Sequence, residues 1–156
     1  MLRVVNGDIF REPSGILVLP VNQQGVPSYE VTKSAKSIFP DNWEEYRMSL
    51  PGNIGDVLVV DMGSTCDFPK IANMFVQENW RHPVRFEVLE KAVDVLLQKC
   101  ISMQIRTVNF PSLYETVSYE VKSDWHKMVT MLDKKFTTRY FIDCRLFNMP
   151  PANSEE

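Results

Sequence analysis

The stretch that decides the fold is Leu2 to Gly25, which reads LRVVNGDIFREPSGILVLPVNQQG. It contains two short apolar runs, Leu2 to Val5 and Gly15 to Val21, rich in β-branched residues and bounded by Gly, Pro and Asn. Such runs predict β-strands, and the second is so continuously apolar that both of its faces should be buried. Asp8 and Asn22 follow the two strands, at the position where α/β proteins place groups that contact a ligand.

The rest of the chain alternates helices and strands. Helical spacing of apolar residues predicts helices over Val31 to Phe39, Asn42 to Met48, Phe86 to Cys100 and Asp124 to Phe136. Further strands are predicted over Val57 to Met62, Lys70 to Val76, Arg106 to Phe110 and Arg139 to Phe147. The expected N-caps are Ser28 for the first helix and Ser123 or Asp124 for the last. This order predicts a three-layer α/β fold.

Length and composition indicate a single globular domain. A chain of 156 residues, 44% hydrophobic and 24% charged, can bury roughly two thirds of its unfolded surface. We expect one domain over residues 1–148 and a mobile tail, rich in Pro and Glu, over 149–156. The net charge of −3 argues against nonspecific binding to nucleic acid, because phosphate contacts need clustered Lys and Arg.

Cysteine and histidine usage predicts a reducing compartment and no metal or cofactor. Cys66, Cys100 and Cys144 are far apart and odd in number, which favours free thiols. No segment reads as a membrane span or signal peptide, so we expect a cytoplasmic protein that does not contact membranes. His82 and His126 are isolated in the sequence, unlike zinc ligands. His82 is either a general acid/base or simply a solvated side chain.

Five motifs together resemble the macro domain family, an α/β/α module that binds ADP-ribose in other proteins. They are GDIF at 7–10, NQQGV at 22–26, FPDNW at 39–43, IANMFVQENWR at 71–81 and SDW at 123–125. Their order and spacing are similar to macro domains of bacterial DNA ADP-ribosyl glycohydrolase antitoxins and of bacteriophages. The resemblance sharpens the expected fold to a three-layer α/β/α macro domain with a mostly parallel or mixed six-stranded sheet.

The resemblance also implies the position of a ligand. Asp8, with Ile9 beside it, would hold an adenine ring, and Phe147, past the last strand, would lie near it. Asn22 would orient the distal ribose and is the one implied catalytic residue. The diphosphate would lie between two loops, one with Gly25, Val26, Pro27 and Ser28 and the other with Ser112, Leu113, Tyr114, Glu115 and Thr116. On the residues alone, Asp8 is more simply a turn cap and Phe147 a plain strand end.

The chain departs from the family pattern where a diphosphate would bind. Ser28 and Glu30 stand where the family usually has glycines, which let backbone N–H groups approach phosphate closely. A carboxylate at Glu30 that faced the diphosphate would repel it. Residues 114–116 replace a second glycine-containing turn. Gln77 stands where the glycohydrolases have a lysine that contributes to catalysis, and glutamine supplies neither a cation nor a titrating amine.

Two functions follow, and the sequence leaves both open. The first is binding of ADP-ribose or an ADP-ribosylated macromolecule, with hydrolysis of the ADP-ribosyl linkage or of ADP-ribose 1″-phosphate as the associated reaction. The second is a non-catalytic module for a modified nucleotide or a protein partner, in which Tyr29, Tyr114 and Tyr119 fill the phosphate positions. Trp80 either stacks on a base or ribose or packs within the protein.

Overall fold

The computed structural model describes residues 1–11, 13–112, 121–139 and 141–148, with residues 121–124 described by their backbone alone. Its strands are β1 (Leu2–Val5), β2 (Ile16–Asn22), β3 (Val57–Asp61), β4 (Lys70–Gln77), β5 (Thr107–Phe110) and β6 (Asp143–Phe147). Its helices are α1 (Glu30–Ile38), α2 (Pro40–Met48), α3 (Phe86–Met103) and α4 (Val121–Thr137). The tail expected at 149–156 lies outside the described residues.

One six-stranded sheet runs through the molecule in the order β1-β6-β5-β2-β4-β3. β3 pairs antiparallel with β4, and all other neighbouring strands pair in parallel. The parallel strands therefore end at the same side of the sheet, which we call the carboxyl edge. β2 lies inside the sheet, and all seven of its residues are buried, as its continuous apolar run predicts.

Helices cover both faces of this sheet. α3 and α4 pack on one face, in a core that includes Leu89, Leu96 and Leu132. α1 and α2 pack on the other, in a second core that includes Ala35 and Trp43. The predicted three-layer α/β/α architecture with a mixed sheet is confirmed.

The predicted apolar stripe of α3 is the largest contribution of one helix to the first core. Its buried members are Leu89, Val93, Leu96, Leu97 and Cys100, and Phe86 is half-buried. Cys100 behaves as a small apolar residue, since burial raises the pKa of its thiol to about 12. All three cysteines are free thiols, as predicted. Within the described ranges, no helix is both long enough and apolar enough to cross a bilayer.

Three predicted element ends are wrong. The N-cap of α1 is Tyr29 rather than Ser28, because Thr32 in the first turn accepts a hydrogen bond from the Tyr29 N–H through Oγ1 (3.0 Å). α4 begins at Val121, so Ser123 and Asp124 lie inside the helix rather than at its cap. The last strand begins at Asp143, four residues after the predicted start, because the chain still forms turns at 141 and 142.

Two of the motif asparagines hold the layers together. Asn42 of FPDNW and Asn73 of IANMF exchange side-chain hydrogen bonds of 3.1 and 2.9 Å in the interior. The Asn73 amide also donates to the Leu58 carbonyl (3.2 Å). The pair fixes α2 on the sheet, so these two residues are structural.

Candidate functional site

The carboxyl edge has a topological switch point between β2 and β5. From β2 the chain continues through α1 and α2 on one face, whereas from β5 it continues through α4 on the other. When the loops after two neighbouring parallel strands turn to opposite faces of the sheet, they leave a crevice between them. Open α/β sheets bind ligands in such a crevice. Of the two predicted diphosphate loops, the one at 25–28 follows β2; in the other, residues 113–116 lie outside the described residues.

Asn22 is buried and organises the loop that follows β2. Its Oδ1 accepts hydrogen bonds from the N–H groups of Gln24 (3.0 Å) and Val26 (3.2 Å), and its Nδ2 donates to the Val26 carbonyl (2.9 Å). Gly25 in this loop has a φ of 75°, and a Cβ there would lie 3.0 Å from Leu50 Cδ1. The bend therefore requires glycine. Asn22 acts here as a positioning residue for the loop.

Tyr46 on α2 supports the same loop from within the protein. Its hydroxyl donates to the Asn22 backbone carbonyl (2.5 Å) and accepts from the Gly25 N–H (3.2 Å). Its ring packs beside Trp43 and Phe75, at centroid distances of 4.8 and 5.9 Å. Burial raises the pKa of Tyr46 to about 12, so the phenol is neutral at physiological pH.

Gln77 lies opposite Asn22 at the end of β4. The β2–β4 register is irregular there, and the Gln23 N–H donates to the Gln77 carbonyl (3.0 Å). The buried Gln77 side chain donates through Nε2 to the His82 carbonyl. Its buried Oε1 has no hydrogen-bond partner among the residues that the structure describes. Because buried oxygens are nearly always hydrogen-bonded, Oε1 is an acceptor that an internal water molecule could satisfy, and its burial keeps it from direct contact with a ligand.

Trp80 and Arg81 form an exposed pair on the loop between β4 and α3. The Arg81 guanidinium carbon lies 4.9 Å from the centroid of the Trp80 ring, and 40% of Trp80 is exposed. The Trp80 N–H donates to Gln24 Oε1 (3.0 Å), which joins this loop to the loop held by Asn22. The Trp80 ring is thus not a core aromatic; its backbone is fixed and its side chain faces solvent.

Asp8, Ile9 and Phe147 lie at the other end of the carboxyl edge, after β1 and in β6. Asp8 Oδ1 accepts from the Phe10 N–H (3.0 Å), as a turn cap does. Ile9 and Phe147 are both buried in the second core, so their side chains pack inside the protein. The Asn148 N–H donates to the Val5 carbonyl (3.1 Å), which brings the ends of β6 and β1 together.

The remaining predicted contacts are only partly described. Val26, Pro27 and Ser28 are half-buried, and Glu30 is exposed as the first residue of α1. The Ser112 hydroxyl is buried without a hydrogen-bond partner in the described part of the chain. The other predicted residues of that loop, Leu113, Tyr114, Glu115 and Thr116, lie outside the described residues, as does Tyr119.

Comparison with known proteins identifies the family. No profile of a known protein family matches the sequence. The DNA ADP-ribosyl glycohydrolase of Thermus aquaticus is 32% identical over 116 residues, which make up 72% of this chain and 32% of that protein. The solved macrodomain of Thermus aquaticus DarG is similar with a TM-score of 0.85 and 25% identity, over 94% of this chain and 97% of that one. This chain belongs to the macro domain family.

A third similarity is to a ligand complex. The macro domain matches Thermosipho africanus DarTG, solved in complex with ADP-ribose, with a TM-score of 0.79 and 14% identity, over 99% of this chain and 43% of that one. At this identity the likeness concerns the fold. Since the chain covers only 32% of the Thermus aquaticus glycohydrolase, it spans about a third of that protein's length.

The described part of the macro domain offers neutral polar groups at the switch point. Asn22, Gln77 and Tyr46 carry no charge at physiological pH and are buried and bonded to the loops, so they hold the loops in place and do not take up a proton from a ligand. His82 is exposed, and its general acid/base role stays a prediction. No group of three or more His, Cys, Asp or Glu side chains that could hold a metal occurs among the described residues.

Two contributors to the macro domain's loops are absent from the sequence-based prediction. Tyr46 could have been identified from the sequence as a buried residue, because its spacing from Trp43 places both residues on the buried side of α2. Nothing in the sequence points to the role of Gln24, since its partner Trp80 is 56 positions away along the chain.

Proposed function

We propose that this macro domain binds ADP-ribose, free or attached to a macromolecule, in the crevice at the switch point. The observation that carries the proposal is the loop after β2, where Asn22 and Tyr46 hold the backbone around Gly25 at the edge of the crevice. A turn whose conformation is fixed at a switch point can lie against a diphosphate without reordering. Its N–H groups at residues 23–26 are bonded within the protein, so other groups of the loop would contact the ligand. The DNA ADP-ribosyl glycohydrolase and the ADP-ribose complex among its relatives support this choice.

The proposed ligand lies along the carboxyl edge. β1 and β2 are three positions apart in the sheet, which at the usual strand spacing is about 14 Å, a span suited to a diphosphate between two ribose groups. In this arrangement the adenine lies by Asp8 and Ile9, near the end of β6 at Phe147. The diphosphate lies between the loops at 25–28 and 112–116, and Asn22, through its loop, positions the distal ribose.

We propose that binding is weaker than in glycine-rich macro domains. Ser28 restricts the loop where a glycine would not, and the exposed carboxylate of Glu30 stands at the N-terminus of α1, where the helix dipole favours an anionic ligand. A second anion there competes with the diphosphate for the same positive potential.

Hydrolysis of the ADP-ribosyl bond or of ADP-ribose 1″-phosphate is the second candidate, and the 32% identity to a glycohydrolase favours it. Macro domains that work by positioning a water and the ribose need few titrating groups, and Asn22 and Gln77 hold the loops beside which this would occur. The absence of a cation at Gln77 argues for slow turnover, so we place binding first. If turnover is absent altogether, the domain is a non-catalytic module that binds a modified nucleotide or a protein partner.

We also propose that the domain works in the cytoplasm of a bacterial cell, either its own or the host of a bacteriophage. The free thiols at Cys66, Cys100 and Cys144 support a reducing compartment.

Calorimetric titration with ADP-ribose tests the binding. The wild type should bind, and Asp8→Ala should weaken binding by about tenfold, the cost of one charged hydrogen bond. Asp67→Ala is the matched control, because Asp67 is an exposed carboxylate in the β3–β4 connection. Absence of heat at millimolar ADP-ribose would refute the proposal, and equal affinity of Asp8→Ala and wild type would refute the place given to the adenine.

A further inference from the structure

A groove on the outer side of the helix layer formed by α3 and α4 has no role in the binding proposed above. It has a volume of about 650 Å³ and lies between Phe86 on α3 and one side of α4, which contributes Lys127, Met131 and Lys134. Residues three and four positions apart share one side of a helix, so the groove follows α4 for about 10 Å, close to two turns.

The floor of the groove is apolar. Met131 is buried in the first core, and Phe86 packs against the same core but stays half-buried. The outward side of a surface helix normally carries charged and polar residues. Methionine is also an adaptable side chain that suits contact surfaces. The groove therefore offers a place for an apolar side chain from outside the molecule.

The rim of the groove is basic, although the chain as a whole carries a net charge of −3. The exposed basic side chains at the rim are His126, Lys127 and Lys134. Lys127 Nζ lies 4.6 Å from the centroid of the Phe86 ring, so its charge stands over the apolar floor. A cation beside an apolar floor suits a partner that combines carboxylates with an apolar side chain.

The one carboxylate that lines the groove is already engaged. Lys135 Nζ lies 4.0 Å from Glu90 and 2.6 Å from Asp94, and this cluster lies toward α3. Among the described residues, neither Lys127 nor Lys134 has a carboxylate within ion-pair distance. These two lysines are therefore the cations that can meet an acidic surface.

An acidic surface with an apolar side chain lies on α2. Glu44, Glu45 and Met48 are exposed there, at positions that share one side of the helix. Met48 is 76% exposed, more than any other large apolar side chain in the described ranges. Arg47, the one basic residue of α2, lies beside Gly25 instead. Each surface thus has what the other lacks, two charges of opposite sign and an apolar contact.

The two surfaces cannot meet within one molecule. α2 packs on one face of the sheet, with the second core, whereas α3 and α4 pack on the other face, with the first core. Contact between them therefore needs a second copy of the chain. Neither surface contains a residue that the proposed ADP-ribose site uses, so the contact does not depend on the proposed function.

We propose that α2 of one copy docks in the α3–α4 groove of a second copy. The two glutamates pair with the two lysines, and Met48 enters the groove between Phe86 and Met131. Because two different surfaces meet, the contact is heterologous, and association extends head to tail instead of closing a two-fold dimer. A contact along one nine-residue helix is smaller than the roughly 800 Å² per partner of a stable complex, so the Kd should be on the order of 0.1 mM.

Sedimentation velocity at low salt, from about 10 µM to about 1 mM protein, brackets this affinity. Lys127→Glu with Lys134→Glu makes both surfaces acidic, and Glu44→Lys with Glu45→Lys makes both basic. The control is Arg81→Glu with Arg106→Glu, which changes the net charge as much as the first variant does, at exposed positions outside both surfaces. Melting temperatures close to that of the wild type show that the variants fold.

The mean sedimentation coefficient of the wild type should rise with concentration, and added salt should reduce the rise. Each charge-reversed variant alone should stay monomeric, because like charges then face each other. An equimolar mixture of the two variants should regain the association of the wild type, since each acidic surface again meets a basic one. The arginine control should associate like the wild type, and Met48→Ala should associate about tenfold more weakly.

Several results would overturn the proposal. One is a wild type that stays monomeric at about 1 mM. Others are a charge-reversed variant that associates like the wild type, a mixture of the two that stays monomeric, and an arginine control that loses association equally, since net charge alone would explain that loss. A monomeric wild type that binds polyglutamate or phosphatidylglycerol vesicles through Lys127 and Lys134 would also exclude a second copy as the occupant of the groove.

Discussion

Asn22 and Gln77 stand opposite each other at the ends of β2 and β4, and each amide side chain holds the loop that follows its own strand. Asn22 bonds to the backbone of Val26, and Gln77 bonds to the carbonyl of His82. The backbone bond from Gln23 to Gln77 joins the two strand ends (3.0 Å). The two loops beside the proposed ligand are therefore fixed by neighbouring neutral amides.

Replacing Asn22 by Ala should loosen the β2–α1 loop. The backbone N–H groups of Gln24 and Val26 lose their acceptor, which should lower the free energy of unfolding by about 2 kcal/mol. ADP-ribose affinity should fall at least about tenfold, because the diphosphate turn is no longer preorganised. Urea unfolding and calorimetry measure the two effects, with exposed Asn53→Ala as the control. Wild-type affinity in Asn22→Ala would contradict the proposed role of the loop.

Replacing Gln77 by Lys should raise hydrolytic turnover. The resemblance places a catalytic lysine here, and an ammonium group would supply the charge that glutamine lacks. We expect release of ADP-ribose from a modified oligonucleotide to accelerate by about tenfold or more, the usual size of one well-placed electrostatic contact. Gln98→Lys adds the same charge at an exposed position of α3 and should change nothing. Equal rates for Gln77→Lys and wild type would show that this position does not limit turnover.

Neutralising Glu30 should strengthen ADP-ribose binding. Without the carboxylate in the first turn of α1, the positive end of the helix dipole acts on the diphosphate alone. The affinity for ADP-ribose should rise about two- to fivefold at low salt, and this gain should shrink as the salt concentration rises. Asp41→Asn is the matched control: it removes a carboxylate from the first turn of α2, which lies beside the end of antiparallel β3 and so away from the carboxyl edge. Weaker binding by Glu30→Gln would mean that its carboxylate contacts the ligand favourably.

Tyr46 should make stability depend on pH only in alkaline solution. Folding raises the pKa of Tyr46 from 10.0 to about 12. Below pH 10 the phenol therefore keeps its proton in both the folded and the unfolded state, and its full contribution to the free energy of unfolding is present. Above that pH the unfolded chain loses the proton first, and this contribution declines by about 1.4 kcal/mol per pH unit.

A comparison of wild type with Tyr46→Phe isolates this effect from the buried cysteines, which titrate in the same alkaline range. At pH 7 Tyr46→Phe should be less stable by about 1–2 kcal/mol, because Asn22 and Gly25 lose their partner. The difference should shrink above pH 10 and reach zero or change sign by about pH 12, as followed by urea unfolding. A constant difference would mean that the phenol is not shielded from water.

The local sequence pattern was sufficient to predict the helices and strands but not the structure of the loops. The apolar run of β2 and the stripe of α3 each follow from neighbouring residues, and both are confirmed. The order of the strands in the sheet was not predicted, since periodicity does not say which strands pair. The role of Asn22 as a loop organiser depends on the path of the chain after β2, and the Gln24–Trp80 bond joins positions far apart in sequence. Neither the loop-holding role of Asn22 nor the Gln24–Trp80 bond can be predicted from residue spacing or composition.

The reciprocal amide pair of Asn42 and Asn73 constrains how related sequences can diverge. Each side chain is both donor and acceptor to the other in the interior, so changing one leaves the other unsatisfied, at a cost of about 1–3 kcal/mol. Exchange of both for apolar residues avoids that cost in this pair, although the Leu58 carbonyl then loses its donor. Across homologues the two positions should therefore covary, with both amides kept or both lost together.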